Sequence, residues 1–250
     1  MRRETILAVI LLLMLGTAAQ ALYISTEFGD GADCWIANDN QSSSYYSNTV
    51  HNTTGMQVRY NGGGSRFRAA FLKFDLSGQT EPFAANTGLL MGQTYTKGAS
   101  KTIHVYGLVD GDAGEDWLET TLCYDNAPGF VTPSQGNNLG WYAIDSRLVL
   151  LGTFTIPGTG SGGATITPAK MLWSDPDTLP LADFLNADTN GKVTLVLINA
   201  TGTSSNNSEN RFASKEDAVV ASWPALIEVP EPVTLVLLGL GGLMFMGRKK

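Results

Sequence analysis

Short runs of alternating apolar and polar residues constrain this chain more than any other feature. In Met56-Gln57-Val58-Arg59-Tyr60 every second side chain is apolar, and a period of two puts one set on each face of a strand. Asn61-Gly62-Gly63-Gly64 supplies a turn, and Phe67 to Phe74 returns as a strand. Thr102 to Val109 sets Ile103, Val105, Gly107 and Val109 against His104, Tyr106 and Leu108. Two largely apolar faces predict a central strand. Val149 to Ile156, Val193 to Ile198 and Ala225 to Val229 are further strands, and Thr120 to Tyr124 reads as another. One helix interrupts them. Pro180 suits a first turn, Leu181, Phe184 and Leu185 share a face, Asp183 favours the N-terminal end, and Asn190-Gly191 stops it. The expected fold is all-β, a jelly-roll-type β-sandwich with one short helix over an open end.

The two ends of the chain do not fit that pattern. Arg2 and Arg3 precede an apolar run from Ile6 to Leu15, and Ala19-Gln20-Ala21 follows with small residues where a signal peptidase reads. Residues 1–21 therefore read as a signal peptide. An uncleaved anchor would need about 20 apolar residues. At the other end, Pro230-Glu231-Pro232 precedes an apolar run from Val233 to Met246 and a basic tip, Arg248-Lys249-Lys250. As a helix that run spans about 21 Å, short for about 30 Å of hydrocarbon. The basic tip resists translocation. Residues 22–229 are then an exported ectodomain, and 230–250 a short transmembrane tail.

That tail resembles the PEP-CTERM sorting signal of Gram-negative bacteria: Pro-Glu-Pro, a short Leu/Gly-rich helix and a basic tip in fixed order. The resemblance implies sorting by an exosortase, a membrane protease-transpeptidase, and a destination at the cell surface or in an exopolysaccharide matrix. A plain tail anchor is the alternative.

Charge narrows the partners of the ectodomain. Without Glu4 and Glu231, 21 of 23 acids remain; without Arg2, Arg3, Arg248, Lys249 and Lys250, 11 of 16 bases remain, a net charge of −10. Such a surface disfavours nucleic acid and anionic membrane. A neutral polysaccharide meets no charge penalty, and a polyanionic one needs a bridging cation. Asn40, Asn52, Asn199 and Asn206 begin Asn-x-Ser/Thr triplets and read as polar surface loops. The two cysteines, Cys34 and Cys123, leave two states open. A disulfide would close a long loop and stabilise by about 3–4 kcal/mol; two free thiols would pack as small apolar residues.

The most distinctive segment is Val105 to Gly129, with Glu115-Asp116-Trp117-Leu118-Glu119 and Tyr124-Asp125-Asn126-Ala127-Pro128 at its centre. Ala32-Asp33-Cys34-Trp35-Ile36 opens the domain, Ala69 to Asp75 lies upstream, and Phe212-Ala213-Ser214-Lys215-Glu216 lies downstream. In that order these segments resemble the DNRLRE-domain group, akin to carbohydrate-binding module family 96. The resemblance implies a noncatalytic β-jelly-roll on secreted, polysaccharide-associated proteins. Cys34, Trp35 and Cys123 depart from its usual residues, and the paired departure points to a lineage-specific disulfide.

Several residues then carry alternative readings. Asp110, Asp112 and Asp116 have the spacing of oxygen ligands for calcium, although Gly114 and Glu119 do not match an EF-hand; otherwise the segment is an acidic exposed loop. Trp117 is either core or a sugar platform. As core it brings Glu119 inward to pair with Lys215 or Arg211. Tyr45 and Tyr46, in a Ser/Asn-rich stretch, are the better-placed sugar-stacking pair. No His cluster, Gly-x-Ser-x-Gly elbow or phosphate loop marks an enzyme, and His51 and His104 stand far apart. Two carboxylates meeting in a groove would support the alternative, a polysaccharide lyase or glycoside hydrolase. The expected partners are an exosortase, an extracellular polysaccharide, and the membrane through the tail.

Overall fold

The computed structural model describes residues 22–41, 44–45, 51, 55–60, 66–131, 142–173, 181–200 and 209–228. The expected signal peptide, the sorting tail and Tyr46 lie outside the described residues. Among those described, no helix is long and apolar enough to cross a membrane.

Among the described residues, twelve strands form one curled antiparallel sheet, with one α-helix. They are β1 (Tyr23–Ser25), β2 (Ala32–Gln41), β3 (Ser44–Tyr45), β4 (Gly55–Tyr60), β5 (Arg66–Asp75) and β6 (Thr87–Gly98). After them come β7 (Lys101–Leu108), β8 (Leu148–Ile156), β9 (Gly160–Trp173), β10 (Lys192–Asn199), β11 (Glu209–Ala213) and β12 (Ala225–Glu228). The helix, α1 (Leu181–Asn186), precedes β10. The strand order is β1-β12-β6-β11-β4-β5-β10-β7-β8, with β2 beside β5, β3 beside β2, and β9 beside β6.

The curl comes from two long strands that change partners. Along β6, Thr87 to Leu90 pair with β12, and Gln93 to Lys97 pair with β11. Along β5, Ala69 to Asp75 pair with β10, while Phe67 and Arg68 pair with β4. The β11–β4 ribbon thus bridges the β6 and β5 regions and folds them towards each other. Between them lies the main core: Ala70, Leu72 and Phe74 of β5, Leu195 and Leu197 of β10, Met56 and Val58 of β4, Leu89 and Met91 of β6, and Phe212. Full burial of one such side chain stabilises by about 1.5–3 kcal/mol.

A second apolar cluster covers the other face of β2 and β5. Cys34, Ile36, Phe67, Ala69 and Phe71 meet Leu108 at the end of β7 and Trp117, Leu122, Tyr124 and Phe130 from the chain after it. Because β5 and β10 are buried on both faces, their sequences are nearly continuous apolar runs. β7 has β10 and β8 as neighbours, so its expected central place is correct. The helix buries Leu181, Ala182 and Leu185 in the main core. Its Phe184 ring lies on Gly107, where a Cβ would fall 2.3 Å from the ring; that close approach accounts for the glycine.

Two expectations fail here. Thr120 to Tyr124 is no strand: Thr121 and Leu122 donate backbone N–H groups to the Leu118 carbonyl, and a 3-10 turn follows over Tyr124–Asn126. Asn126 is the cause. Its Oδ1 accepts from the Cys123 N–H and its Nδ2 donates to the Thr121 carbonyl, so local side-chain bonds replace ladder bonds. Nor are all the Asn-x-Ser/Thr triplets surface loops. Asn40 lies within β2, and Asn199, at the end of β10, is fully buried.

Candidate functional site

From Asp110 to Asp116 the chain after β7 is a built structure rather than an exposed acidic loop. Asp112 caps the 3-10 turn Ala113–Asp116, its Oδ1 accepting from Gly114 N–H at 2.7 Å. Asp110 Oδ2 accepts from Thr189 Oγ1 at 2.7 Å, and Asp116 pairs with Lys192 Nζ at 2.7 Å. The three carboxylates expected to gather calcium therefore turn to three separate partners. Among the described residues, no group of three or more His, Cys, Asp or Glu is placed to hold a metal ion. The carboxylate that enters the interior is Glu115, which accepts from Gly111 N–H at 2.9 Å and Asn190 Nδ2 at 2.7 Å. Burial pushes its pKa up, against those two bonds, and Asp110 and Asp188 add to the rise. Nothing in the sequence separated Glu115 from its acidic neighbours.

Trp117 is core, 7% exposed, with its ring edge-on to Phe71 at 5.9 Å. Its Nε1–H donates to Thr194 Oγ1 at 3.0 Å, which satisfies its one polar atom. The buried Lys73 donates from Nζ to the Trp117 carbonyl at 2.7 Å and lies over the indole at 5.1 Å. Burial lowers the Lys73 pKa, and Lys192 adds to the effect. The expected pairing of Glu119 is present: Lys215 Nζ meets Glu119 Oε1 at 2.8 Å and Glu216 Oε1 at 2.8 Å. Burial works against the Lys215 charge, but Glu119 and Glu216 together raise its pKa above the ordinary lysine value. This region is therefore a packed lid and offers no exposed aromatic face at Trp117.

Cys34 and Cys123 are both buried and both free thiols. The expected disulfide is not formed; each packs as a small apolar side chain. Cys34 sits in the second cluster, where burial raises its pKa well above the usual thiol value.

A second arrangement runs across the sheet. Tyr95 of β6 pairs in register with Arg211 of β11, which pairs with Gln57 of β4. The Arg211 guanidinium stands 5.0 Å over the Tyr95 ring. Gln57 Oε1 accepts from Arg68 Nη1 on β5, and Arg68 lies 5.1 Å over the ring of Trp35 on β2. Trp35 in turn stacks on His51, with centroids 3.7 Å apart and planes at 13°. Burial, then Arg68, lowers the His51 pKa to about 4, so this imidazole is neutral near neutral pH. Glu209 holds Arg211 Nε at 2.7 Å and Arg59 Nη1 at 3.3 Å. The result is an ordered stripe of aromatic, guanidinium and amide groups over five strands, about 19 Å at the usual strand spacing. Arg211 is exposed, and Tyr95, Gln57, Arg68 and His51 are half-buried.

Sequence reasoning missed this stripe, because its members come from six separate places in the chain. Period-two alternation placed Gln57 and Arg59 on one face of β4 but could not say which strands lay beside it. Of the two tyrosines singled out, Tyr45 lies on β3, paired with Asn40 of β2.

A search of curated proteins finds no match to the chain. Residues 25–146, the stretch that carries β2 to β7 and the packed lid with Trp117, match the model of carbohydrate-binding module family 96.

Proposed function

We propose that this protein is a noncatalytic, polysaccharide-binding component of a bacterial cell surface or extracellular matrix, exported by its N-terminal signal and sorted through its PEP-CTERM-like tail by an exosortase. The observation that carries the reading is the match of residues 25–146 to a family of carbohydrate-binding modules. The stripe from Tyr95 through Arg211, Gln57 and Arg68 to His51 is the place on the sheet best suited to a glycan. Half-buried rings present apolar faces to sugar rings, while guanidinium and amide groups supply donors for hydroxyl or carboxylate oxygens. Its length suits several consecutive sugar units. Tyr45 and Tyr46 remain proposed in this reading as a sugar-stacking pair. The expected jelly-roll topology belongs to the same reading.

The test is binding of the full chain to an array of neutral and uronate-bearing polysaccharides, followed by Tyr95→Ala and Arg211→Ala. Arg and Tyr are characteristic hot-spot residues. Each substitution should weaken binding by about tenfold, about 1.4 kcal/mol, with the unfolding midpoint little changed. Unaltered affinity in both variants rules out the stripe. An array on which the native chain binds nothing rules out the binding function and leaves a structural role.

A further inference from the structure

Asp33 stands on β2 with no exposed surface. Its Oδ2 accepts from Thr26 Oγ1 at 2.5 Å and from the Lys215 backbone N–H at 2.9 Å. Its Oδ1 is buried and has no hydrogen-bond partner among the described residues. A buried carboxylate keeps its charge only with a cation or a full set of donors. The cation of the adjoining turn, Lys215 Nζ, is already held by Glu119 and Glu216, at 2.8 Å each. Both of these carboxylates repel a negative Asp33. The remaining charged neighbours do not supply the missing partner. On β5, Lys73 gives its Nζ to the Trp117 carbonyl. In the turn after β1, Glu27 and Asp30 are exposed. The next residue of β2, Cys34, is a buried thiol.

Through one oxygen, then, Asp33 joins the turn that starts at Thr26, strand β2, and the turn after β11 that carries Lys215. That second turn also supplies the ion pair that holds the lid at Glu119.

We infer that Asp33 is a pH-sensitive latch: as a neutral acid it holds the Thr26 and Lys215 turns against β2, and its ionisation loosens both. Burial is the main force on the proton. The Thr26 and Lys215 bonds oppose it, Glu216 and Glu119 reinforce it, burial outweighs the two bonds, and the carboxyl is raised from 3.8 to about 7. In the unfolded chain the proton is lost near the ordinary value. From about pH 4 to about pH 7 the folded state alone holds that proton, so stability falls as pH rises through this window. His51, with a lowered pKa, acts in the opposite sense over part of the same window. The latch therefore shows in a difference between proteins rather than in one curve.

Asp33→Asn keeps the shape and an acceptor oxygen for Thr26 and Lys215 but carries no ionisable proton. Denaturant unfolding of the full chain and this variant, at constant ionic strength, supplies the comparison. Between about pH 5 and pH 8 the native unfolding constant should rise relative to the variant's by about a hundredfold. A ratio that does not change with pH overturns the latch. The Lys215 amide gives a local reading: its protection from hydrogen exchange, corrected for intrinsic rate, should fall with pH in the native chain and hold in the variant. If the variant does not fold, carbon-detected titration of Asp33 in the native chain decides. An inflection near pH 7 supports the latch, and one below about pH 6 overturns it.

Discussion

Trp117 and Glu119 lie two residues apart and make different contributions to stability. The indole is buried against Phe71, bonded to Thr194 and covered by Lys73. Trp117→Ala should therefore cost about 3–5 kcal/mol, read from urea unfolding. A variant as stable as the native chain would show that the lid does not hold the second cluster together. The Glu119–Lys215 pair is only partly shielded, with 18% of each side chain exposed, and Lys215 keeps Glu216 when Glu119 is removed. Glu119→Ala should cost about 1 kcal/mol, well below the cost of orphaning a buried cation. The pairing was legible from the order of the segments, because Trp117 as core drew Glu119 towards Lys215. The degree of shielding was not, since it depends on which chain packs above. His51 adds a prediction in pH. Its folded pKa of about 4 lies below the unfolded value, so its stabilising contribution is present above about pH 6.5 and is lost as pH falls towards 4. His51→Phe, which keeps a ring on Trp35, should flatten that acid-side loss in a series of thermal melts.

Among the elements, several strands with buried faces announced themselves. β4, β5, β7, β8, β10 and β12 all show alternation or continuous apolar runs, because strands buried on one or both faces must carry such patterns. β6 and β9 did not. β6 mixes Gly, Thr and Gln with its apolar residues. Its Gly92 passes under the Val220–Ser222 turn, where a Cβ would lie 2.4 Å from the Ser222 Cβ. A requirement imposed by a segment 130 positions away, give or take a few, leaves no local mark beyond a glycine. The seat of α1 on β7 has the same character. Gly107→Ala drives a methyl group into the Phe184 ring and should cost about 1–3 kcal/mol as overpacking. Joined with Phe184→Leu, the loss should be smaller than the sum of the two single changes, since the pair is in contact. Additive losses in a double-mutant cycle would place the strain elsewhere.

At the scale of the whole chain, the proposed sorting role of the tail predicts that sorting and folding are separable. Deleting residues 230–250 should leave export intact and move the protein from the cell surface into the medium. Fractionation that finds the truncated chain still on the surface counts against the sorting reading. Among the described residues, the β architecture, the helix at Leu181–Asn186 and the Glu119–Lys215 contact could be read from the sequence, because each is written in contiguous residues or in two short segments. Only the tertiary structure decided what depends on juxtaposition. It directed Asp110, Asp112 and Asp116 to three separate partners and buried Cys34 and Cys123 as free thiols. It aligned Tyr95, Arg211, Gln57, Arg68, Trp35 and His51 across five strands. The physical reason is common to all three. Hydrophobic patterning acts along the chain with a period of two, whereas ligand geometry, thiol pairing and surface stripes depend on which strands become neighbours, and that is set when β5 and β6 change partners and curl the sheet.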